Sequence, residues 1–196
     1  MVTALAAGLF LLALPPQSAG PELALPDLEG RPHSLQEFRQ RIVVLNFWAT
    51  WCAPCVREMP ALARLQKRYG AQGVQVIGAS ADEAATRDKI PEMTRRLKIS
   101  FPIWVGATTA DMQKLGLGEA LPATVILDRD GQIGGRLLGA FDPRELERRV
   151  QWLLGDRGGP PPPVFVDSRE TGRHAEEEES HGHGGVGLEG ASLVPS

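Results

Sequence analysis

Val43-Val44-Leu45-Asn46-Phe47-Trp48-Ala49-Thr50-Trp51-Cys52-Ala53-Pro54-Cys55 is an apolar run that stops at two cysteines three positions apart. Residues 42–47 are continuous, apolar and rich in β-branched and aromatic side chains, which predicts a buried strand. The chain then turns and delivers the cysteines to the start of a helix. They are the only two cysteines in 196 residues. A bridge between them closes so short a loop that it restrains the unfolded chain little, so chemistry explains the pair better than stapling does. C-x-x-C at a strand-to-helix turn in an α/β pattern reads as a redox dithiol. The i, i+3 spacing brings both sulfurs within bonding reach, and a helix N-terminus favours a thiolate.

Working outward, residues 21–41 read as an extended entry and a short helix, with Ser34 as N-cap and Glu37 completing a capping box. The helix after the cysteines runs over 54–69, with Val56, Met59, Leu62, Leu65 and Tyr69 on one face and Gly70 at its end. Pro60 inside it predicts a local bend. Residues 74–80 form a second buried strand, Pro91 opens a helix reaching Leu97, and 101–105 form a third strand. A short helix spans 110–115. Strands at 124–127 and 132–138 flank Asp128-Arg129-Asp130-Gly131, whose Asp-Gly is a hairpin signal. The last helix starts at Asp142 (N-cap) and Pro143, buries Leu146, Val150 and Leu153, and stops at Gly155. Strands alternating with helices and closing on a hairpin predict an α/β fold: one mixed sheet flanked by helices on both faces.

The ends differ from this middle. Residues 1–20 hold an apolar run at 5–14, two prolines and a small-residue stretch at 18–20, which reads as a signal peptide or N-terminal membrane anchor, although no Lys or Arg precedes Arg31. Residues 156–196 carry four prolines at 160–163, four glutamates at 176–179 and His174, His181 and His183, and are read as a disordered tail. Residues 21–155 carry a net charge of +2 and the tail −5, together the −3 of the chain. A near-neutral domain with an acidic tail gives no sign of a nucleic-acid partner.

These residues resemble the thioredoxin superfamily, and more narrowly the extracytoplasmic TlpA, ResA and CcmG type of thiol–disulfide oxidoreductase. Phe47-Trp48-Ala49-Thr50-Trp51-Cys52-Ala53-Pro54-Cys55, followed by Glu58-Met59-Pro60, is similar to that group's active-site signature. Leu121-Pro122-Ala123-Thr124 is similar to the segment bearing the fold's cis-proline. The likeness covers residues 21–155 as one thioredoxin-like domain. It implies an extracytoplasmic, periplasmic location, a mixed-disulfide mechanism, and Pro122 beside the dithiol with Leu121 offering its backbone to an extended client. Where thioredoxin carries a buried aspartate before the cysteines, this chain has Asn46, which does not ionise near neutral pH. By resemblance the proton-handling role moves to Glu83, although residues 80–83 also form a capping-box pattern.

Cys52, at the helix start, is the expected nucleophile and Cys55 the resolving thiol. Lowering a thiol from pKa ~8.5 to ~7 raises its ionised fraction at pH 7 from a few per cent to about half. Trp51 and Pro54 are expected at the client-binding surface, with Trp48, Asn46 and Glu58 structural. Neither cofactor nor metal is expected: zinc needs about four ligands, and His33 is the one histidine outside the tail. The implied partners are proteins with a disulfide or the C-x-x-C-H cysteines of apocytochromes c, copper-site cysteines, and a membrane thiol reductant supplying electrons to what is expected to be a monomer. Two other functions share the fold. A thiol peroxidase places a threonine three before its reactive cysteine, where this chain has Ala49; a copper chaperone resembles C-x-x-x-C with a downstream histidine, where this chain has C-x-x-C and none in the domain.

Overall fold

The computed structural model describes residues 20–156 and 159–168. Its elements are β1 (Ala24–Pro26), β2 (Pro32–Ser34), a 3-10 turn (Leu35–Phe38), β3 (Ile42–Trp48), α1 (Ala53–Tyr69), β4 (Val74–Ser80), α2 (Ile90–Arg96), β5 (Ile103–Val105), α3 (Thr109–Lys114), β6 (Ala123–Leu127), β7 (Ile133–Leu138), α4 (Pro143–Leu154) and β8 (Phe165–Asp167). The expected short helix near residue 35 is one 3-10 turn, and Glu37 accepts the Ser34 N–H at 2.6 Å as the capping pattern required. α1 continues through Pro60 without interruption.

Six strands form the main sheet in the order β5-β4-β3-β6-β7-β8. β3, β4 and β5 are parallel, β6 runs against β3, and β7 against β6. β3 is central, and all seven of its residues are buried. Because side chains alternate across a strand, Ile42, Val44, Asn46 and Trp48 face one layer and Val43, Leu45 and Phe47 the other. The first layer packs under α1, α2 and α4, with Met59, Leu62, Ile90, Leu146 and Val150 filling it. The second is covered by α3 and the β1–β2 hairpin, through Leu23, Leu25, Trp104, Met112 and Leu115. The chain thus has the expected mixed sheet between helices. β3 and β4 end, and β6 begins, at one pole of the sheet, and that pole holds the cysteines.

Asp128 makes the β6–β7 turn. Its side chain accepts the N–H groups of Asp130 and Gln132, and Gly131 takes φ +78°, a left-handed conformation suited to glycine. His33 lies between Asp27 (3.1 Å) and Glu37 (3.0 Å) within the N-terminal segment and stacks on Trp104 of β5, which Asp27 also meets in an isolated antiparallel bridge.

One boundary differs from expectation. The segment read as tail from residue 156 contributes β8, which lies parallel to β7. The Val164 carbonyl accepts the Arg136 N–H at 2.6 Å, Ser168 Oγ donates to the Leu138 carbonyl at 2.7 Å, and the buried Arg149 guanidinium donates to the Pro163 carbonyl. The four prolines do not exclude a strand after them, because β8 is an edge strand and begins beyond them. The apolar run at 5–14 and the histidines at 174, 181 and 183 lie outside the described residues. Among the described residues no helix is long and apolar enough to cross a membrane.

Candidate active site

β3 is followed by Ala49 and Thr50, and the chain turns at Trp51-Cys52 into α1. Cys52 is the N-cap of that helix and is joined to Cys55 as a disulfide (S–S 2.03 Å). The Cys55 N–H points at Cys52 Sγ, 3.3 Å away. Once the bridge is reduced, that amide and the helix dipole sit where a Cys52 thiolate gains most from them. Pro54 offers no N–H to compete. The two sulfurs are not equivalent in access: Cys55 is fully buried, whereas Cys52 lines an open cleft.

That cleft has a volume of about 990 Å³ and runs between Trp51, Cys52 and Pro54 on one side and Gly106, Ala107, Met112 and Leu121 on the other. Trp51 is 63% exposed, a large apolar ring left in water beside Cys52. The Leu121–Pro122 peptide is cis, and Leu121 lines the cleft. Cys52, Cys55, Trp51, Pro54, Leu121 and Pro122 therefore meet at one pole, although 66 positions of sequence separate the two motifs between Cys55 and Leu121.

Beneath the dithiol lies a buried polar group. Glu58 sits one helical turn after Cys55, so the two share the inward face of α1 at about 5–6 Å between Cβ atoms, and the residue is 7% exposed. Its Oε1 accepts from Asn46 Nδ2 at 2.7 Å and its Oε2 from the Phe141 N–H at 3.4 Å. Burial pushes the carboxyl up to about 7, with the Asn46 and Phe141 hydrogen bonds opposing the rise. Asn46 also donates to Thr124 Oγ1 at 3.0 Å, its direct neighbour on β6.

A second carboxylate fixes the loop that carries the cysteine. Asp82 is buried and accepts from the Thr50 N–H (2.8 Å), Thr50 Oγ1 (2.5 Å) and Ser80 Oγ (2.8 Å). Thr50 is thereby tied to the end of β4, two residues before Cys52. Ser80 Oγ accepts the Asp82 N–H, so the capping box anticipated over residues 80–83 does not form. Glu83 itself is exposed at the cleft wall.

The AhpC/TSA family model matches residues 16–135. The thiol-disulfide oxidoreductase ResA of Geobacillus thermodenitrificans is 32% identical over 134 residues, 68% of this chain and 75% of that protein. The chain belongs to the AhpC/TSA family, and it is a thiol–disulfide oxidoreductase of the ResA type. The solved thiol:disulfide interchange protein DsbE of Chlorobium tepidum superposes with a TM-score of 0.63 at 26% identity, covering 69% of this chain and 95% of that one. A secreted thiol-disulfide isomerase of Corynebacterium glutamicum has the same fold, with a TM-score of 0.63 at 23% identity over 69% and 85% of the two chains.

For an oxidoreductase of this type, sequence reasoning located the dithiol and the cis-proline, read Glu58 as structural and gave Asp82 no role. Glu58 had a signal. It lies on the apolar stripe with Cys55, Met59 and Leu62, where a carboxyl is out of place. Asp82 had none, because the three bonds it accepts come from Thr50 and Ser80, at the C-terminal ends of two strands that only the folded sheet brings together. Among the described residues no group of three or more His, Cys, Asp and Glu side chains is placed to hold a metal ion.

Proposed function

We propose that this oxidoreductase is extracytoplasmic and reduces disulfides of specific client proteins, either the C-x-x-C-H cysteines of apocytochromes c or copper-site cysteines. The observation that carries the reading is the cleft: a wide, largely apolar channel in which Cys52 is flanked by the exposed Trp51 and by Leu121. A channel of this size suits an extended chain, and the backbone of Leu121 lies where it can pair with one. The apolar run at 5–14 and a relative named as secreted support the location.

In the reduced enzyme the Cys52 thiolate attacks one client sulfur. The client S–S bond breaks, a mixed disulfide forms, and the second client sulfur leaves as a thiolate that takes up a proton. Cys55 then loses its proton and attacks Cys52 Sγ. The bond from Cys52 to the client breaks, the client's first sulfur leaves as a thiolate that takes up a proton from water, and the client departs as a dithiol with the enzyme oxidised. Two electrons from a membrane dithiol reductant restore the enzyme. The proton from Cys55 goes to Glu58, the buried carboxyl one turn away with a proton affinity matched to neutral pH. Glu83, exposed on the cleft wall, meets the client instead. Ala49 lacks the hydroxyl that a peroxide site of this fold requires.

Replacing the resolving cysteine tests the reading. Cys55→Ala, expressed in the source cell, is expected to accumulate on Cys52 a covalent adduct with a protein whose paired cysteines lie in a haem- or copper-binding motif. Recovery of only small thiols, or of no adduct above that of Cys52→Ser/Cys55→Ala, would refute the client assignment.

A further inference from the structure

Asn46 Oδ1 is a fully buried acceptor with no hydrogen-bond partner among the described residues. Both of the amide's contacts come from Nδ2: 2.7 Å to Glu58 Oε1 and 3.0 Å to Thr124 Oγ1. Buried polar atoms are nearly always paired, so an amide that uses both donors and leaves its oxygen unmet needs an explanation. The explanation lies in its partners. A hydroxyl donates or accepts as required, and a carboxyl does either according to its proton.

With Glu58 ionised, both of its oxygens accept, Oε1 from Asn46 and Oε2 from the Phe141 N–H. A proton arriving on Oε1 would face an amide N–H. A half-turn of the Asn46 amide removes the conflict without changing its shape, because Oδ1 then accepts from the Glu58 and Thr124 hydroxyls. The turn exchanges one unmet acceptor for two unmet donors, so it is the less favourable arrangement, and Asn46 favours the carboxylate. Cys55 stands one turn before Glu58 on α1, the Phe141 amide ahead of α4 meets Glu58 Oε2, and Thr124 on β6 meets Asn46. No charged side chain among the described residues forms an ion pair with it.

We propose that Asn46 is a positioning residue that sets the proton affinity of Glu58, donating to its carboxylate and turning to accept from its carboxylic acid while the Thr124 hydroxyl reverses its bond in step. The catalytic consequence rests on Glu58 as the proton carrier of the dithiol; the effect on Glu58 itself does not.

The test reads Glu58 directly, by carboxyl carbon NMR of the oxidised full chain across pH, beside the pH profile of Cys52 alkylation in the reduced chain. Asn46→Leu removes a hydrogen bond to a charged group, and Glu58 is expected to hold its proton at least about tenfold more tightly. Thr124→Val, nearly isosteric, is expected to shift Glu58 in the same direction by a smaller factor, and it decides the matter should Asn46→Leu fail to fold. Asn46→Asp is expected to split the titration into two macroscopic steps. A Glu58 midpoint unchanged in both Asn46→Leu and Thr124→Val overturns the proposal. Glu58 shifting while the Cys52 profile stays fixed upholds it and instead removes Glu58 from the proton path.

Discussion

Cys52→Ser is expected to lower thiol–disulfide exchange by at least about four orders of magnitude, the scale on which a nucleophile's loss is felt when the remaining machinery cannot replace it. Cys52 is the sulfur on the cleft and the one that the Cys55 N–H and the α1 N-terminus both face. Cys55 is fully buried and cannot reach a client without displacing the helix around it. The partner substitution therefore behaves differently. Cys55→Ser is expected to attack a disulfide substrate once at a rate within about tenfold of the wild type, and then to stall as a mixed disulfide. Stopped-flow exchange with a model disulfide, with mass spectrometry of the product, separates the two. Equal loss of the first attack in both variants would mean that the cysteines are not divided into attacking and resolving roles.

Glu58→Gln is expected to change how stability depends on pH. The Glu58 carboxyl titrates at about 7 in the fold against an ordinary 4.5, so the folded state holds this proton more tightly than the unfolded chain. The stability it contributes as a neutral acid is complete below about pH 4.5 and is lost as pH rises through 7. The interval corresponds to about 3 kcal/mol. Glutamine carries no such dependence. Relative to the wild type, Glu58→Gln is expected to gain about 3 kcal/mol in unfolding free energy between pH 4 and pH 8, measured by urea titration of the oxidised chain. It is also expected to abolish the inflection near neutrality in the reactivity of the reduced dithiol and to slow the resolving step by about a hundredfold or more. A pH-independent difference between the two proteins would place the Glu58 carboxyl in water.

The strand-to-helix delivery of the dithiol was legible because each local signal agreed: a continuous apolar strand, a helix opening at Pro54, and two cysteines one turn apart. The sheet and its layers followed from alternation of strands and helices. Pro122 was legible only by resemblance, since no property of residues 121–124 indicates that the chain will bring them beside position 52. Glu58 was visible in pattern but not in consequence. Its spacing from Cys55 marked the inward face of α1, yet its raised proton affinity arises from burial beneath the helices and sheet, against the opposing hydrogen bonds of Asn46 and the Phe141 amide. Composition hid β8: Val164, Phe165 and Val166 form too short a run to stand out after four prolines, and only the open edge of β7 makes them a strand.

The division of labour between the two sulfurs is open to one direct measurement. The reduced chain is treated briefly with iodoacetamide between pH 5 and pH 9, and the modified peptide is identified by mass spectrometry. Cys52 is expected to be alkylated first at every pH, already reactive below neutrality, with Cys55 protected until the chain is unfolded. Alkylation of Cys55 as fast as or faster than Cys52 would contradict the account.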